Sequence, residues 1–151
     1  MIVNRQRRVA LKPSAFRAFL RRLRLMLELG RRAFDVCLVT DHAIKRLNRR
    51  FRGKAQATDV LAFAYDDLAM PAPAGSEWSN FLGDVVISAE TARRSARAAG
   101  GACDEEICRL ILHGALHLLG YDHETDAGEM AAVEQTLRRR LGIQGNVKDR
   151  W

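Results

Sequence analysis

Hydrophobic positions along this chain follow two different periods. Apolar residues recur at helical spacing in five segments, at residues 14–29, 41–50, 89–99, 104–119 and 126–141. Short apolar or alternating runs typical of strands occupy residues 2–4, 34–40, 60–65 and 83–88. Periods near 3.6 and near 2 predict helices and strands respectively. The pattern therefore predicts an α/β (α+β) domain with about five helices and four strands.

Capping residues mark several of the predicted helix ends. Pro13 is suited to open the first helix, and Gly30 to stop it, because glycine readily adopts the backbone conformation that ends a helix. A side-chain oxygen at the start of a helix can accept a hydrogen bond from its first turn. Asp41 is therefore expected to cap the second helix, and Ser88 the third.

The fourth predicted helix carries two of the four histidines. Residues 107–119 are apolar almost all round, which predicts a buried helix. His113 and His117 are four residues apart, so they share one face of this helix, one turn apart. His123 lies out of phase with that face, but Gly120 offers a helix end at which the chain can turn. The spacing therefore predicts that the three imidazoles converge.

Converging imidazoles indicate a metal site. A lone buried histidine is usually a core residue with a hydrogen bond, but three buried without partners would each cost on the order of 1–3 kcal/mol. Neutral imidazole binds borderline-soft divalent metals, and three such ligands leave a fourth position open to water. Zinc is the first expectation, although other late first-row metals would also bind. The fourth histidine, His42, is predicted to lie on the surface.

The residue that follows the first of these histidines restricts the chemistry. The histidine spacing is that of the metzincin proteases, which carry a general-base glutamate where this chain has Gly114. Glycine cannot take a proton from water, and the flanking Asp122 and Glu124 are more simply explained as groups that orient ligands or face solvent. Peptide hydrolysis is therefore disfavoured relative to phosphodiester cleavage, which has a better leaving group.

Charge is distributed unevenly along the chain. The 151 residues are enough for one domain and carry a net charge of +7. Residues 1–54 hold sixteen basic and three acidic residues, a net charge of +13, whereas residues 55–151 have a net charge of −6. A basic half on a metal-bearing domain favours an anionic polymer as substrate or partner.

The remaining features concern the cellular compartment and the segments that lack a clear hydrophobic period. The sequence predicts no secretory leader and no membrane span, because its N-terminal residues lack an apolar stretch and no apolar run approaches the length of a span. The three cysteines show no paired-ligand spacing, so a reducing cytoplasm is expected. The long connection at residues 66–82 is expected to be functional or disordered, with Trp78 pinning it to the body. Residues 1–142 are expected to form the single domain, and residues 143–151 a polar C-terminal tail.

Three sequence motifs resemble those of one family. The segment HGALHLLGYDH at residues 113–123 is similar to the HGxLHLxGYDH signature of the YbeY family, bacterial endoribonucleases and rRNA maturation factors. Residues 47–54 together with 58–63 resemble the family's second motif, and residues 82–87 its third. The chain departs from the second motif at Ala57, Ala62 and Ala64, where the family has two prolines and a serine.

The resemblance implies both a fold and an activity. It implies a small mixed sheet with helices packed over it, a zincin-like metal arrangement, and one zinc ion held by His113, His117 and His123. It also implies single-strand-directed RNA cleavage in rRNA maturation, at the 3′ end of small-subunit rRNA, and in ribosome quality control. The expected partners are precursor rRNA and the small ribosomal subunit with its assembly proteins.

The family's arginine maps onto Arg52, which is expected to hold the scissile phosphate or to stabilise its developing charge. Its neighbours Arg46, Arg49, Arg50 and Lys54 are expected to follow the RNA backbone. Two nucleophiles stay open, a metal-activated water and the substrate's own 2′-hydroxyl. Two other functions also stay open: a non-catalytic RNA-binding assembly factor with a structural metal, and a metalloprotease.

Overall fold

The computed structural model describes residues 1–67 and 74–143, and both predicted classes of element are present. The strands are β1 (Ile2–Asn4), β2 (Ala33–Val39), β3 (Val60–Ala64) and β4 (Phe81–Ser88). The helices are α1 (Ser14–Met26), α2 (Asp41–Arg52), α3 (Ala89–Ala99), α4 (Cys103–Leu118) and α5 (Glu129–Leu141). The prediction of four strands and five helices is confirmed.

The four strands form one mixed sheet in the order β1-β2-β4-β3. β1, β2 and β4 run parallel, and β3 pairs antiparallel with β4 at the edge of the sheet. Parallel neighbours need crossover connections, and the helices between the strands supply them. The mixed sheet that the resemblance implied is therefore present.

The two faces of the sheet are covered unequally. Alternate residues of β2 and β4, among them Val36 and Val85, point into the main core beneath α1 and α4. On the other face a smaller cluster of Val39, Leu61 and Val86 packs against Ile44 of α2. Successive side chains of a strand point to opposite faces of the sheet. The part of β4 that is covered on both faces is therefore apolar on both faces. Among the described elements, α2 covers the second face, and only in part.

The helix ends differ from prediction in detail. α1 stops at Met26 rather than near residue 29, since Glu28 adopts a left-handed conformation with φ 51°. The cap of α2 is Thr40, whose hydroxyl accepts a 3.2 Å hydrogen bond from the Ala43 amide, so the prediction for Asp41 was wrong. α5 begins at Glu129 rather than near residue 126. Ser88 caps α3 by accepting from the Thr91 amide, as expected.

The carboxylate of Asp41 joins α2 to α3 instead. Its Oδ1 accepts hydrogen bonds of 2.6 Å from the hydroxyls of Ser88 and Thr91, and Oδ2 forms a 2.7 Å ion pair with Arg94. Burial raises the pKa of Asp41, but the hydrogen bonds from Arg94, Ser88 and Thr91 outweigh burial and lower the pKa to about 2. The ionised carboxylate therefore stabilises the folded state.

Asp41→Asn is expected to lower the free energy of unfolding by about 1–2 kcal/mol at neutral pH. A depressed pKa contributes stability above the ordinary value of 3.8, and this contribution is lost as the pH falls through about 2. The difference between variant and wild type should therefore shrink between about pH 4 and pH 2. Urea unfolding across this range measures it, with the exposed Asp66→Asn as control. A difference independent of pH would contradict the assignment.

The long connection before β4 is described only in part. Residues 68–73 of the predicted 66–82 loop and residues 144–151 of the predicted tail lie outside the described residues. Within the described part, the rings of Trp78 and Phe81 meet edge-on at 5.8 Å, and Trp78 remains 52% exposed. That Trp78 pins the loop to the body stays a prediction. Ile143, the first residue of the predicted tail, packs against the main core. Among the described helices, none has the length and apolar character that crossing a membrane would require.

Candidate metal centre and phosphate-binding cavity

The histidine helix α4 is the most enclosed helix of the described chain, as its sequence predicts. His113 is only 2% exposed, while His117 and His123 are half-buried. The helix ends at Leu118, and Gly120 with φ 96° lets the chain reverse, so that the Tyr121 amide donates back to the Leu116 carbonyl. This reversal returns His123 to the helix. Its ring centroid lies 5.6 Å from that of His113 and 5.3 Å from that of His117.

Hydrogen bonds to the Nδ1 atoms orient two of the three imidazoles. His113 Nδ1 lies 3.1 Å from the buried Oε2 of Glu134 on α5. His117 Nδ1 lies 2.9 Å from the backbone carbonyl of Tyr121. A carboxylate and a carbonyl can only accept, so each Nδ1 carries a proton and donates. The Nε2 atom of each ring is thereby left with its lone pair.

These two Nε2 atoms face each other at 3.1 Å. Two lone pairs at this separation need a cation or a proton between them. Two nitrogen ligands of one tetrahedral zinc, at the usual bond length, lie about 3.4 Å apart. Counting one ligand atom from each histidine, all three lie within 4.8 Å of one another. The donor set and its geometry therefore fit a divalent metal ion, and this group could hold one.

The pKa of His117 supports the same conclusion. Burial lowers it below the ordinary value, and the neighbouring His113 lowers it further, against the opposing effect of the Tyr121 carbonyl. A lowered pKa keeps the imidazole neutral near neutral pH. Neutral imidazole is the form that binds a metal.

Replacement of Glu134 by Gln is expected to weaken metal binding by about 10- to 100-fold. The amide is nearly isosteric but can present its NH₂ group to Nδ1, which favours the tautomer with the proton on Nε2. Competition with a chromogenic chelator measures this affinity independently of activity. Thr136→Val, at an exposed position of the same helix, is the control. Unchanged affinity in Glu134→Gln would contradict the orienting role.

Gly114 has a packing role besides its effect on chemistry. A Cβ at this position would lie 2.5 Å from Cγ1 and 2.9 Å from Cγ2 of Val85 on β4. The contact brings α4 close to the sheet and leaves no room for the glutamate of a metzincin at this position. The exclusion of that general base is therefore steric as well as chemical.

A cavity of about 280 Å³ opens beside the histidines. Arg52, the last residue of α2, and Lys54, which follows the helix, line it together with all three histidines. The exposed carboxylate-bearing Glu124 lines it as well, whereas Asp122 accepts a hydrogen bond from the Glu124 amide. The other predicted RNA contacts, Arg46, Arg49 and Arg50, are exposed on α2 but do not line the cavity.

Comparison with known proteins assigns the family. A family model described as Endoribonuclease YbeY matches residues 2–142. The chain belongs to the YbeY family. Its resemblance at the three motifs thus extends to most of its length.

Individual YbeY relatives agree with the assignment. Endoribonuclease YbeY of Solibacter usitatus is 40% identical over 149 residues, which cover 99% of this chain and 92% of that protein. The Myxococcus xanthus relative is 47% identical over 127 residues, or 83% of this chain, which spans only 41% of that longer protein. The solution structure of TM1509 from Thermotoga maritima superposes with a TM-score of 0.55 at 26% identity, covering 93% of this chain and 89% of that one.

The departures from the YbeY motif fall on β3. Ala62, in the place of the family's serine, lines the histidine cavity without offering a hydroxyl. Ala57 and Ala64 flank or end the strand where the family has prolines, and β3 nevertheless pairs with β4 along its length. β3 therefore lies beside the cavity with alanine at these positions.

Glu134 is a residue beside the histidines that the sequence analysis missed. It stands on the buried face of α5, in helical phase with Met130, Leu137 and Leu141. A carboxylate among apolar residues at this spacing is a signal that it needs a buried partner. The sequence thus indicated that Glu134 needs a buried partner, but it did not indicate which residue that partner is.

Proposed function

We propose that this chain is a zinc-dependent, single-strand-specific endoribonuclease. Its proposed substrate is precursor rRNA, cleaved at the 3′ end of the small-subunit rRNA, with a further role in ribosome quality control in the cytoplasm. The observation that carries the proposal is one cavity lined by both Arg52 and three histidines. A metal-binding group and a cation that suits phosphate thus face the same space.

The residues in and beside the cavity have distinct roles in the proposed reaction. His113, His117 and His123 would hold zinc, which supplies Lewis acidity and lowers the pKa of water when bound. Glu134 fixes the tautomer of His113. Arg52 holds the phosphodiester and stabilises the charge that develops on its oxygens, since a guanidinium fork matches two phosphate oxygens. Asp59 and Glu124 line the cavity, and their carboxylates can accept a proton.

The chemical ends of the cleavage products show which nucleophile attacks. Attack by the substrate's 2′-hydroxyl leaves a 2′,3′-cyclic phosphate, whereas attack by water leaves none. Mass spectrometry of early cleavage products distinguishes the two. Both routes use the same residues, because each requires the phosphate to be held beside the metal position.

Binding of the rest of the RNA is proposed to involve the exposed face of α2. Arg46, Arg49 and Arg50 lie on this helix, and Lys54 follows it. They belong to the half of the chain with a net charge of +13. Contacts of this kind release counterions, so binding should weaken as salt rises and should depend little on sequence.

A non-catalytic assembly factor with a structural metal is the second candidate. Structural zinc sites usually have four protein ligands. Among the described residues, the candidate metal group contains three histidines and no cysteine. The free thiols of Cys37, Cys103 and Cys108 therefore do not complete it, which favours a site with an open position.

The deciding experiment compares two arginines in matched positions. Arg52 and Arg97 each stand in the last turn of a helix that ends at a left-handed glycine. Arg52→Ala should reduce cleavage of single-stranded rRNA by about 10²–10³-fold, as loss of a charge-stabilising donor does. Arg97→Ala, which lies away from the cavity, should cleave at the wild-type rate. Wild-type cleavage must also stop on addition of a chelator.

The proposal fails if Arg52→Ala retains full cleavage or if a chelator has no effect. A contaminating ribonuclease would give both results, so each preparation is compared with His117→Ala purified in parallel. RNA binding without any cleavage, in protein with a full complement of metal, would support the assembly factor instead.

A further inference from the structure

An open groove lies on the second face of the sheet, where α2 leaves the strands uncovered. Its volume is about 590 Å³. β2, β3 and β4 form its floor, with Cys37, Phe63 and Val86, and the end of α2 forms one wall. The groove is separate from the histidine cavity, which opens towards α4.

Aromatic rings are concentrated around this groove. Phe51 and Phe63 meet edge-on at 5.3 Å, and Tyr65 and Phe81 at 5.9 Å. Phe51 remains 56% exposed despite its contact. A single exposed apolar side chain needs no explanation, but four rings that line one open groove resemble the platforms on which unpaired bases stack.

Arg52 connects the groove with the histidine cavity. This residue and Ala62 line both spaces. The connection follows from topology, because β3 is the edge strand and the end of α2 lies beside it. A flexible polymer can therefore pass around the edge of the sheet from one space to the other, in contact with Arg52 throughout.

The charged residues of the groove differ between its rim, which suits phosphate, and its floor, which suits a base. The Arg50 guanidinium lies 5.4 Å from the centre of the Phe51 ring, so the rim near α2 is positive. On the floor, Asp84 pairs in register with Asp35 of β2, and burial together with Asp35 raises the pKa of Asp84. Carboxylates repel phosphate but accept hydrogen bonds from the amino groups of bases.

We propose that this groove binds an unstacked nucleobase of single-stranded RNA next to the nucleotide whose phosphate lies at Arg52. The base stacks on the rings while its backbone follows the arginines at the rim. This subsite rests on the proposed function and explains its preference for single strands, since a paired base cannot leave its helix to enter the groove.

The test uses a short single-stranded 2′-O-methyl RNA with one 2-aminopurine, a base whose fluorescence falls when it stacks. Wild type should quench it, and Phe51→Ala should abolish the quenching and weaken binding by about tenfold. Phe51→Leu, which keeps apolar volume for the fold, should lose most of both. Leu25→Ala is the control because Leu25 is an exposed apolar residue, 79% exposed, on α1.

An abasic probe completes the test. Removing the base should weaken binding to wild type about as much as Phe51→Ala does, and should not weaken binding to Phe51→Ala further. Wild-type affinity and quenching in both Phe51 variants would overturn the subsite alone, and would leave the groove to a protein partner. Failure of the wild-type protein to bind any single-stranded RNA would overturn the proposed function as well.

Discussion

Replacement of His117 by alanine is expected to abolish metal retention and RNA cleavage while the chain stays folded. Within residues 1–67 and 74–143, the lost imidazole is one of three convergent ligands, and two histidines bind a divalent metal far more weakly. His117 is a better choice than His113, because removing His113 would leave the carboxylate of Glu134 buried without this partner. Removing His117 instead leaves behind the backbone carbonyl of Tyr121 and the Nε2 atom of His113, and neither is a buried carboxylate.

The chain supplies its own control in His42, which is exposed on α2 and belongs to no metal-binding group among the described residues. Elemental analysis of purified protein should find about one metal per chain in wild type and in His42→Ala, and none in His117→Ala. Circular dichroism should give the same spectrum for all three. Metal retained in His117→Ala at the wild-type level would refute the three-histidine site.

Gly83→Ala is expected to lower the free energy of unfolding by about 3 kcal/mol or more. Gly83 has φ 139°, a conformation that side chains rarely adopt, and its new Cβ would collide with the Phe63 carbonyl oxygen. That oxygen belongs to the backbone of β3, so it cannot move without disturbing the pairing of β3 with β4. Part of the histidine cavity is built on β3, so the variant should also lose activity.

Gly101→Ala is the matched control, since Gly101 has an ordinary φ and open space where the Cβ would be. Urea unfolding monitored by tryptophan fluorescence and circular dichroism should show Gly101→Ala within about 0.5 kcal/mol of wild type. If Gly83→Ala proved equally harmless, the close approach of β3 to β4 at this position would be wrong.

Local features of the site could be predicted because they depend on neighbours in sequence. The spacing of His113 and His117 and the reversal at Gly120 involve one helix and its end, so 3.6-residue periodicity was sufficient. The burial of α4 followed from the apolar residues all around it. The elements themselves were predicted with errors of a few residues at their ends, where single residues such as Glu28 determine the boundary.

Contacts between distant segments could not be predicted in this way. Glu134 reaches His113 from a different helix, and no spacing rule relates the two. Asp41 resembled a helix cap in the sequence, but the approach of α3 made it the acceptor for Ser88 and Thr91. The groove near Phe51 could not be predicted without the order of the strands. Arg52 lines both this groove and the histidine cavity because β3 is at the edge of the sheet.

The hydrogen bond between Glu134 and His113 has a consequence for the attachment of α5. It ties α5 to the metal-binding side of α4, so a ligand that binds only the folded site also strengthens the attachment of the C-terminal helix. Without metal, the facing lone pairs of the two imidazoles oppose this arrangement. Loss of the metal would then favour local opening of α5, which would expose the buried side chains of Met130 and Leu137.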